Sequence, residues 1–362
     1  MDRKKILLSG LLVGFLGVLL VYFGNPANMG VCIACFIRDI AGGLGLHRAE
    51  PVRYIRPEIS GFILGAFLTA VLTGEFRTRG GSSPLMRFFI GMAIMIGALT
   101  FLGCPLRMVL RLAAGDLNAL VGLVGFVFGI FIGVQFLKKG FSLGRSHRLP
   151  AANGFAMPVL ALVLLILVMS APAFIFFSES GPAAARAPIL ISLFAGLLIG
   201  FAVQRTRLCQ VGCFRDLLLI KDPHLLFGTI GIIAAALIMN LAFGYFKLGF
   251  VDQPVAHTDG VWNFIGLAVV GLGATRLGGC PLRQLVLSGE GDTDAAFTVL
   301  GLLAGAAVSH NFGLAASANG VTPAGQAGVL IAAAFLLVVG FAFTKSNISV
   351  KQKGGATHEH TA

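Results

Sequence analysis

The pentapeptide Gly-Cys-Pro-Leu-Arg occurs twice in this sequence, at residues 103–107 and again at residues 279–283. A second motif, Cys-x5-Arg-Asp, precedes it in both halves of the chain and begins at Cys32 and at Cys209. Shifts of 176 and 177 positions superpose the two copies of the first and of the second motif, respectively. The shared order at a nearly constant spacing indicates two diverged copies of one unit.

The hydropathy of the whole chain is far above that of an average soluble domain. The 362 residues are 57% hydrophobic and 12% charged, and the mean hydropathy is +0.91. A helix needs about 20 apolar residues to span a bilayer, and runs of this kind without Asp, Glu, Lys or Arg include residues 117–137 and 225–246. We therefore predict an all-α integral membrane protein with about ten transmembrane helices and the lipid bilayer as its surroundings.

Each half of the chain is predicted to hold four transmembrane helices, with one apolar segment between the halves. An odd number of crossings between two copies gives them opposite orientations, so the repeats are predicted to be inverted. The predicted boundaries are 1–137 for the first repeat, 138–186 for a loop and a spacer transmembrane helix, and 187–313 for the second, inverted repeat. Residues 314–344 are predicted to form the final transmembrane helix, and residues 345–362 a disordered cytoplasmic tail.

The net charge of +12 comes from 27 Lys and Arg against 15 Asp and Glu. Such an excess marks the cytoplasmic loops of a membrane protein, and no basic stripe is interleaved with base-stacking aromatic residues, so nucleic acid is excluded as a partner. Basic loops at residues 77–87, 138–148 and 205–221 predict a multi-pass protein of the cell inner membrane with both termini cytoplasmic. The basic loop at residues 48–56 falls outside, where we expect it to attract an anion.

The repeated motifs also predict short, interrupted helices. Pro105 and Pro281 follow glycine-rich breaks and stand where proline suits the first turn of a new helix. A short helix is likewise expected to begin near Cys32. Four such half-helices, two in each repeat, are predicted to meet near the middle of the bilayer with their positive N-termini aimed at an anion.

All six cysteines fall within the repeated motifs, at positions 32, 35, 104, 209, 213 and 280. A thiol at a helix N-terminus adds a weak donor to the unpaired backbone N–H groups there. Weak successive sites favour the passage of an ion over its retention. The cysteines therefore predict a path for a small sulfur- or selenium-containing anion.

Other chemistries compete for the same cysteines. The Cys32-x-x-Cys35 spacing is that of thiol-disulfide exchange centres, so a membrane thiol oxidoreductase is the alternative function. The histidines are not grouped with the cysteines as a closed zinc site requires, and the sequence has no nucleotide-binding loop. We predict a transporter and not an enzyme, with no catalytic residue, no metal and no other cofactor.

The paired motifs, together with the run from Gln204 to Cys209, resemble the YeeE/YedE family, and the resemblance covers nearly the whole chain. It implies thiosulfate uptake through an hourglass-like fold, in which cysteines pass the anion along a central path by S–H contacts. Carried over by motif, the path residues are Cys32, Cys104, Cys209 and Cys280. The candidates for accessory path residues are Cys35, Cys213, Arg38, Arg107, Arg215, Arg283, Pro105 and Pro281, and the resemblance leaves open whether Cys35 and Cys213 belong to the path.

Three stretches most resemble the branch of YedE-type selenium transporters: the residues around Cys32, the loop at 48–56 and residues 104–116. This resemblance implies selenite, selenosulfate or thiosulfate as the substrate, three anions that differ little in size and charge. A cytoplasmic thiol carrier protein of the sulfurtransferase type is the expected partner at the inner face.

Overall fold

The computed structural model of the chain describes residues 2–355, with side chains for residues 2–344. Apart from a short 3-10 turn at Glu50–Val52 and two short paired strands, β1 (Arg79–Gly80) and β2 (His147–Arg148), the regular structure described is α-helical. The helices are α1 (Arg3–Tyr22), α2 (Ile33–Gly43), α3 (Pro57–Leu72), α4 (Pro84–Phe101), α5 (Pro105–Ala113), α6 (Leu117–Lys138), α7 (Ala151–Ser170), α8 (Ile189–Thr206), α9 (Gln210–Ile220), α10 (Leu226–Ala242), α11 (Gly260–Leu277), α12 (Pro281–Gly289), α13 (Thr293–Asn311) and α14 (Pro323–Gly355).

The long helices have the length and composition of membrane spans. Within residues 2–355, nine helical segments are long and apolar enough to cross a bilayer, and α10 is a shorter apolar helix. These segments expose large apolar side chains on their outer faces, for example Leu120 and Val124 on α6 and Phe201 on α8. The prediction of an all-α membrane protein with about ten such helices is confirmed.

Four helices, α2, α5, α9 and α12, are much shorter than a span, with 9 to 11 residues each. Helices α4 and α11 end at residues in the left-handed conformation, Leu102 and Gly278, and proline then starts α5 and α12 at its first position. A left-handed residue terminates a helix, and proline loses nothing at a helix start because no N–H is needed there. Helices α5 and α12 therefore begin where the local sequence predicts.

Equivalent helices of the two halves run in opposite directions. Near the start of α1 and the end of α8, Thr206 donates a hydrogen bond to Ser9 at 3.0 Å. At the other end of the same pair, the backbone N–H of Ala187 donates to Asn25 Oδ1 at 2.9 Å. Long helices of one half also pack on helices of the other half, and equivalent helices do so in the same way. Helix α1 packs on α10 and its equivalent α8 packs on α3. Likewise, α4 packs on α13 and its equivalent α11 packs on α6. The boundaries proposed for the repeats stay a prediction.

Glycines bring helices of opposite halves into backbone contact. On α6, a Cβ at Gly125 or at Gly129 would overlap the carbonyl oxygen of Phe264 or of Ala268 on α11. Small residues at four-residue spacing let two membrane helices approach to this distance. The interface between the halves consequently depends on these glycines.

The loops gather at two ends of the helix bundle, which we call the basic end and the opposite end. The basic end is where α1 begins, and it gathers the basic segments at residues 77–87, 138–148 and 205–221, the last of which contains α9. Contacts at this end include the β1–β2 pair and the Arg205–Glu75 ion pair at 3.1 Å. The opposite end carries loops at residues 44–56, 171–188, 243–259 and 312–322, joined by contacts such as that between Asn311 and Leu46 O at 2.9 Å. This grouping is the one that the charge pattern predicts.

Two expectations about charged segments are modified. Arg56, in the basic loop expected to attract an anion, is buried and pairs with Asp39 at 2.8 Å, so its charge is not displayed on a surface. Helix α14 continues to Gly355, so the predicted tail begins within a helix. The part of that tail at residues 356–362 lies outside the described residues.

Candidate anion path

The four predicted path cysteines occupy one structural position. Cys32, Cys104, Cys209 and Cys280 are the N-cap residues of α2, α5, α9 and α12, respectively, and each has extended backbone geometry. An N-cap side chain lies beside the unpaired N–H groups of the first helical turn. Each thiol is therefore held at the positive end of a short buried helix.

The first half forms a group of three buried thiols. Cys32 Sγ accepts a hydrogen bond from the backbone N–H of Cys35 at 3.3 Å and lies 2.9 Å from Cys35 Sγ. The Cys104 thiol interacts with that of Cys32 and with the backbone N–H groups of Ala34 and Arg107. The N-termini of α2 and α5 thus meet across a pair of sulfur atoms, Cys32 and Cys104, with Cys35 beside it.

The second half repeats this arrangement with two thiols. Cys209 Sγ accepts from the backbone N–H of Gly212 and from that of Cys280, both at 3.3 Å. The Cys280 thiol interacts in turn with Cys209 and with the backbone N–H of Gln210. Cys213, one turn further along α9, contacts Thr229 of α10. The path cysteines are consequently brought together as two pairs, one in each half.

The two pairs lie at different depths in the bundle. Gly30, two residues before Cys32, packs against the backbone of Gly17 in α1. Thr206, three residues before Cys209, bonds to Ser9 of the same helix. Ser9 and Gly17 are eight residues apart, which corresponds to about 12 Å along a helix axis. The pairs are therefore stacked along the bundle, with the Cys209 pair nearer the basic end.

The Arg-Asp motif of the first half is fully enclosed. Arg38 bonds to Asp39 Oδ1 at 2.7 Å, and Arg56 bonds to Asp39 Oδ2 at 2.8 Å. His47 closes the end of α2, because its Nε2 lies 3.0 Å from Arg38 O and its Nδ1 accepts from Ala49 N. Burial lowers the pKa of His47, so the neutral ring that makes these bonds is favoured.

The same motif in the second half faces a cavity. Arg215 bonds to Asp216 at 2.8 Å, but these side chains are 25% and 21% exposed. They line a cavity of about 390 Å³ at the basic end, and Cys209 lies in its wall. The carboxylates of Asp216 and Asp222 also line this cavity. The four arginines that line the cavity are Arg79, Arg207, Arg215 and Arg283.

The sequence motifs alone do not identify some of the residues at these sites. Arg79 and Arg207 belong to basic segments that the sequence assigns to loops, and only the fold brings them to one cavity. Arg107, a candidate accessory path residue, donates from its guanidinium group to backbone carbonyls, and any residue can supply a carbonyl. Pro105 and Pro281 contribute by starting α5 and α12.

The fold and these sites define a class: a multi-pass α-helical membrane protein with half-helices whose N-termini carry buried thiols. A family model described as sulphur transport matches residues 205–356, which contain the Cys209 and Cys280 pair. This match, with the relatives below, confirms the resemblance to the YeeE/YedE family for the matched part of the chain.

Two curated relatives are each named thiosulfate transporter TsuA. The relative from Spirochaeta thermophila is 36% identical over 112 residues, 31% of this chain and 33% of the relative. The one from Escherichia coli K12 is 30% identical over 103 residues, 28% of this chain and 29% of the relative. The matched part of the chain therefore spans about a third of the length of these relatives.

Proposed function

We propose that this protein takes up a small sulfur-containing anion of the thiosulfate type across the cell inner membrane, by way of the Cys32–Cys104 and Cys209–Cys280 pairs. The observation that carries the proposal is the shared N-cap position of the four cysteines. A helix N-terminus carries about half a positive charge, so two N-termini offer about one unit at each pair. The names of the two relatives support an anion with a sulfur atom.

The thiols suit such an anion because they are weak donors without a permanent charge. A terminal sulfur can accept S–H contacts while the oxygens accept backbone N–H bonds. Each stop is weak enough to be left, which conduction requires. Selenite and selenosulfate have a similar size and charge, and we include them among the proposed substrates.

The charge distribution supports an orientation. Lysine and arginine gather in cytoplasmic loops, so the basic end, where α1 begins, is proposed to be cytoplasmic. The cavity at that end is then the exit, and its four arginines receive the anion after Cys209. A cytoplasmic thiol carrier protein of the sulfurtransferase type is the proposed acceptor at this mouth.

Uptake of radiolabelled thiosulfate into proteoliposomes with the purified protein tests the function. Cys104→Ala and Cys280→Ala each remove one member of a pair and are expected to lower the initial rate at least about tenfold, a loss equivalent to about 1.4 kcal/mol. Cys213→Ala, which alters a buried thiol outside the pairs, is expected to lower it less. Unchanged uptake in both pair variants would rule out the thiol path.

A second candidate function, thiol oxidoreduction, has one observation in its favour. Cys32 and Cys35 are held with their sulfur atoms 2.9 Å apart, close enough for oxidation to join them after a small movement. It predicts a reversible disulfide that exchanges with a thioredoxin-like protein or a quinone. Mass spectrometry after alkylation under oxidising and reducing conditions decides between the two, because a pair that stays reduced during thiosulfate uptake is incompatible with redox turnover.

A further inference from the structure

Arg107 lies at the third position of α5 and is fully buried. Its guanidinium group contacts the Cys35 thiol at 3.5 Å. The described contacts of this group all go to neutral atoms, and none of the ion pairs among residues 2–344 includes it. A buried cation without a carboxylate is costly, which makes an anionic ligand its natural complement.

The neutral partners of Arg107 come from three separate segments. Nε donates to Asn28 O at 2.8 Å, in the loop that leads to α2. Nη1 donates to Leu102 O, at the break between α4 and α5. Nη2 donates to Val255 O at 3.0 Å, in the loop between α10 and α11 of the other half. One side chain thus ties together both halves of the molecule at the opposite end and contacts the Cys35 thiol.

The equivalent arginine of the second repeat has a different partner. Arg283 pairs with the carboxylate of Glu290, with distances of 2.8 and 3.5 Å from its two terminal nitrogens. It lines the cavity at the basic end, and its side-chain hydrogen bonds to the described residues go to Glu290 of the same half. The shift of 176 positions that superposes Arg107 on Arg283 places Ala114 on Glu290. The first repeat therefore lacks the carboxylate that neutralises this arginine in the second.

We propose that Arg107 is a gate that the transported anion itself opens, an inference that rests on the proposed function. In the closed state its donors hold the three carbonyls and separate the Cys32–Cys104 pair from the opposite end. An oxyanion that arrives there offers charged acceptors, and charge-assisted hydrogen bonds are about twice as strong as neutral ones. The guanidinium exchanges the carbonyls for the anion, the loops at Asn28 and Val255 separate, and the thiols become reachable.

The exchange also gives selectivity. A guanidinium presents its donors in a fixed planar fork that fits two oxygens of one anion. A single-atom anion such as chloride can replace one carbonyl but not two at once. Thiosulfate and related oxyanions can replace two, so they open the gate and chloride does not.

The opening of this gate is measured as the rate at which a membrane-impermeant maleimide labels Cys35 in sealed right-side-out vesicles. Mass spectrometry of the peptide that contains Cys35 gives this rate. Arg107→Gln removes the charged fork and is expected to raise the rate of Cys35 labelling at least about tenfold without any anion, the factor that about 1.4 kcal/mol of lost closure gives. The matched change in the second half, Arg283→Gln, is expected to leave that rate within about twofold. Labelling of Arg107→Gln at the wild-type rate would overturn the proposal, as would an equal effect of Arg283→Gln.

A second variant guards against misfolding of the first. Ala114→Glu supplies the carboxylate that the second repeat has, and Ala114 borders a cavity of about 260 Å³ that can receive the longer side chain. Arg107 is then expected to turn to the new carboxylate, so the gate opens while all arginines are kept. Slow labelling in this variant, with a melting temperature like that of the wild type, would contradict the proposal.

Binding of thiosulfate to the purified protein, measured by titration calorimetry, separates this inference from the proposed function. Wild-type protein is expected to bind thiosulfate, and Arg107→Gln at least about tenfold more weakly, a difference of about 1.4 kcal/mol. If wild-type protein neither binds nor transports thiosulfate, the proposed function fails, whatever the labelling shows. If it transports thiosulfate while Arg107→Gln binds equally well, only the gate is refuted.

Discussion

The two halves of the molecule carry the same motifs, with buried thiols in both, but their Arg-Asp pairs differ in exposure. In the first half, the thiols, the Arg-Asp pair and the arginine of Gly-Cys-Pro-Leu-Arg are all buried. In the second half, the equivalent Arg215 and Asp216 border a cavity of about 390 Å³ that reaches Cys209. A repeated sequence therefore gives a repeated thiol site but not a repeated access to it. At the basic end a cavity reaches Cys209, whereas Arg38 and Asp39 of the first half are enclosed.

The difference rests on a few residues outside the motifs. Arg56 adds a second cation to Asp39, whereas Asp216 has one arginine partner among the described residues. Ala114 replaces the carboxylate that Glu290 provides to Arg283. The Arg-Asp pair of the first half is consequently enclosed, and that of the second half is partly exposed.

The largest effect that we expect from breaking the comparison is on stability. Asp39→Asn leaves the buried guanidinium groups of Arg38 and Arg56 without a carboxylate, which costs about 3–5 kcal/mol. Asp216→Asn makes the same change where the pair is partly exposed, and is expected to cost about 1 kcal/mol or less. Melting temperatures of the two purified variants in detergent measure this, and similar losses in both would remove the basis of the comparison.

The next largest effect that we expect is a difference in the reactivity of the thiols of the two halves. With the orientation proposed above, an impermeant maleimide applied to inside-out vesicles enters from the basic end, where the cavity leads to Cys209. Reactivity of a thiol follows its exposure and thiolate content, and we expect Cys209 to react at least about tenfold faster than Cys32. Peptide mass spectrometry gives both rates in one sample. A faster reaction at Cys32 than at Cys209 would contradict the difference in access between the two halves.

The smallest effect concerns pH. Because burial lowers the pKa of His47, the folded state takes up a proton on this ring less readily than the unfolded state. Stability from this residue is therefore present above the ordinary histidine pKa of about 6.5 and is lost as the pH falls below it. We expect acidification from pH 7.5 to 5.5 to cost about 1 kcal/mol or less through His47.

His47→Gln should remove that share of the pH dependence, as seen in melting temperatures at the two pH values. The control is His147→Gln, a change at an exposed residue of β2. An equal pH dependence in His47→Gln and wild type would show that the ring does not hold the end of α2 as described.

Much of this fold could be predicted because its signals are local. Proline after a glycine-rich break starts a helix wherever it stands, so Pro105 and Pro281 indicate α5 and α12 without any tertiary information. The charge of the loops at residues 77–87 and 205–221 likewise indicates the end of the bundle at which they gather. The repeated motif gives the equivalence of Cys104 and Cys280.

The contacts that distinguish the halves could not be predicted in the same way. Asp39 and Arg56 are 17 residues apart and meet only because the loop after α2 folds back. The acceptors of Arg107 are backbone carbonyls, which every residue possesses and no sequence pattern marks. The sequence predicts one meeting point for the four half-helices and does not indicate how deep in the bundle each thiol lies. In the structure, contacts with α1 place the thiols as two pairs at different depths.

The most direct test of the central claim is to locate the transported anion in the protein by its selenium atom. Crystals of the protein soaked with selenosulfate can be measured at the selenium absorption edge. We expect anomalous peaks within about 4 Å of a sulfur atom in the Cys32–Cys104 pair and in the Cys209–Cys280 pair, the reach of a hydrogen bond that involves sulfur. Selenium found only away from both pairs, in a protein that takes up the same anion, would contradict a path along the thiols.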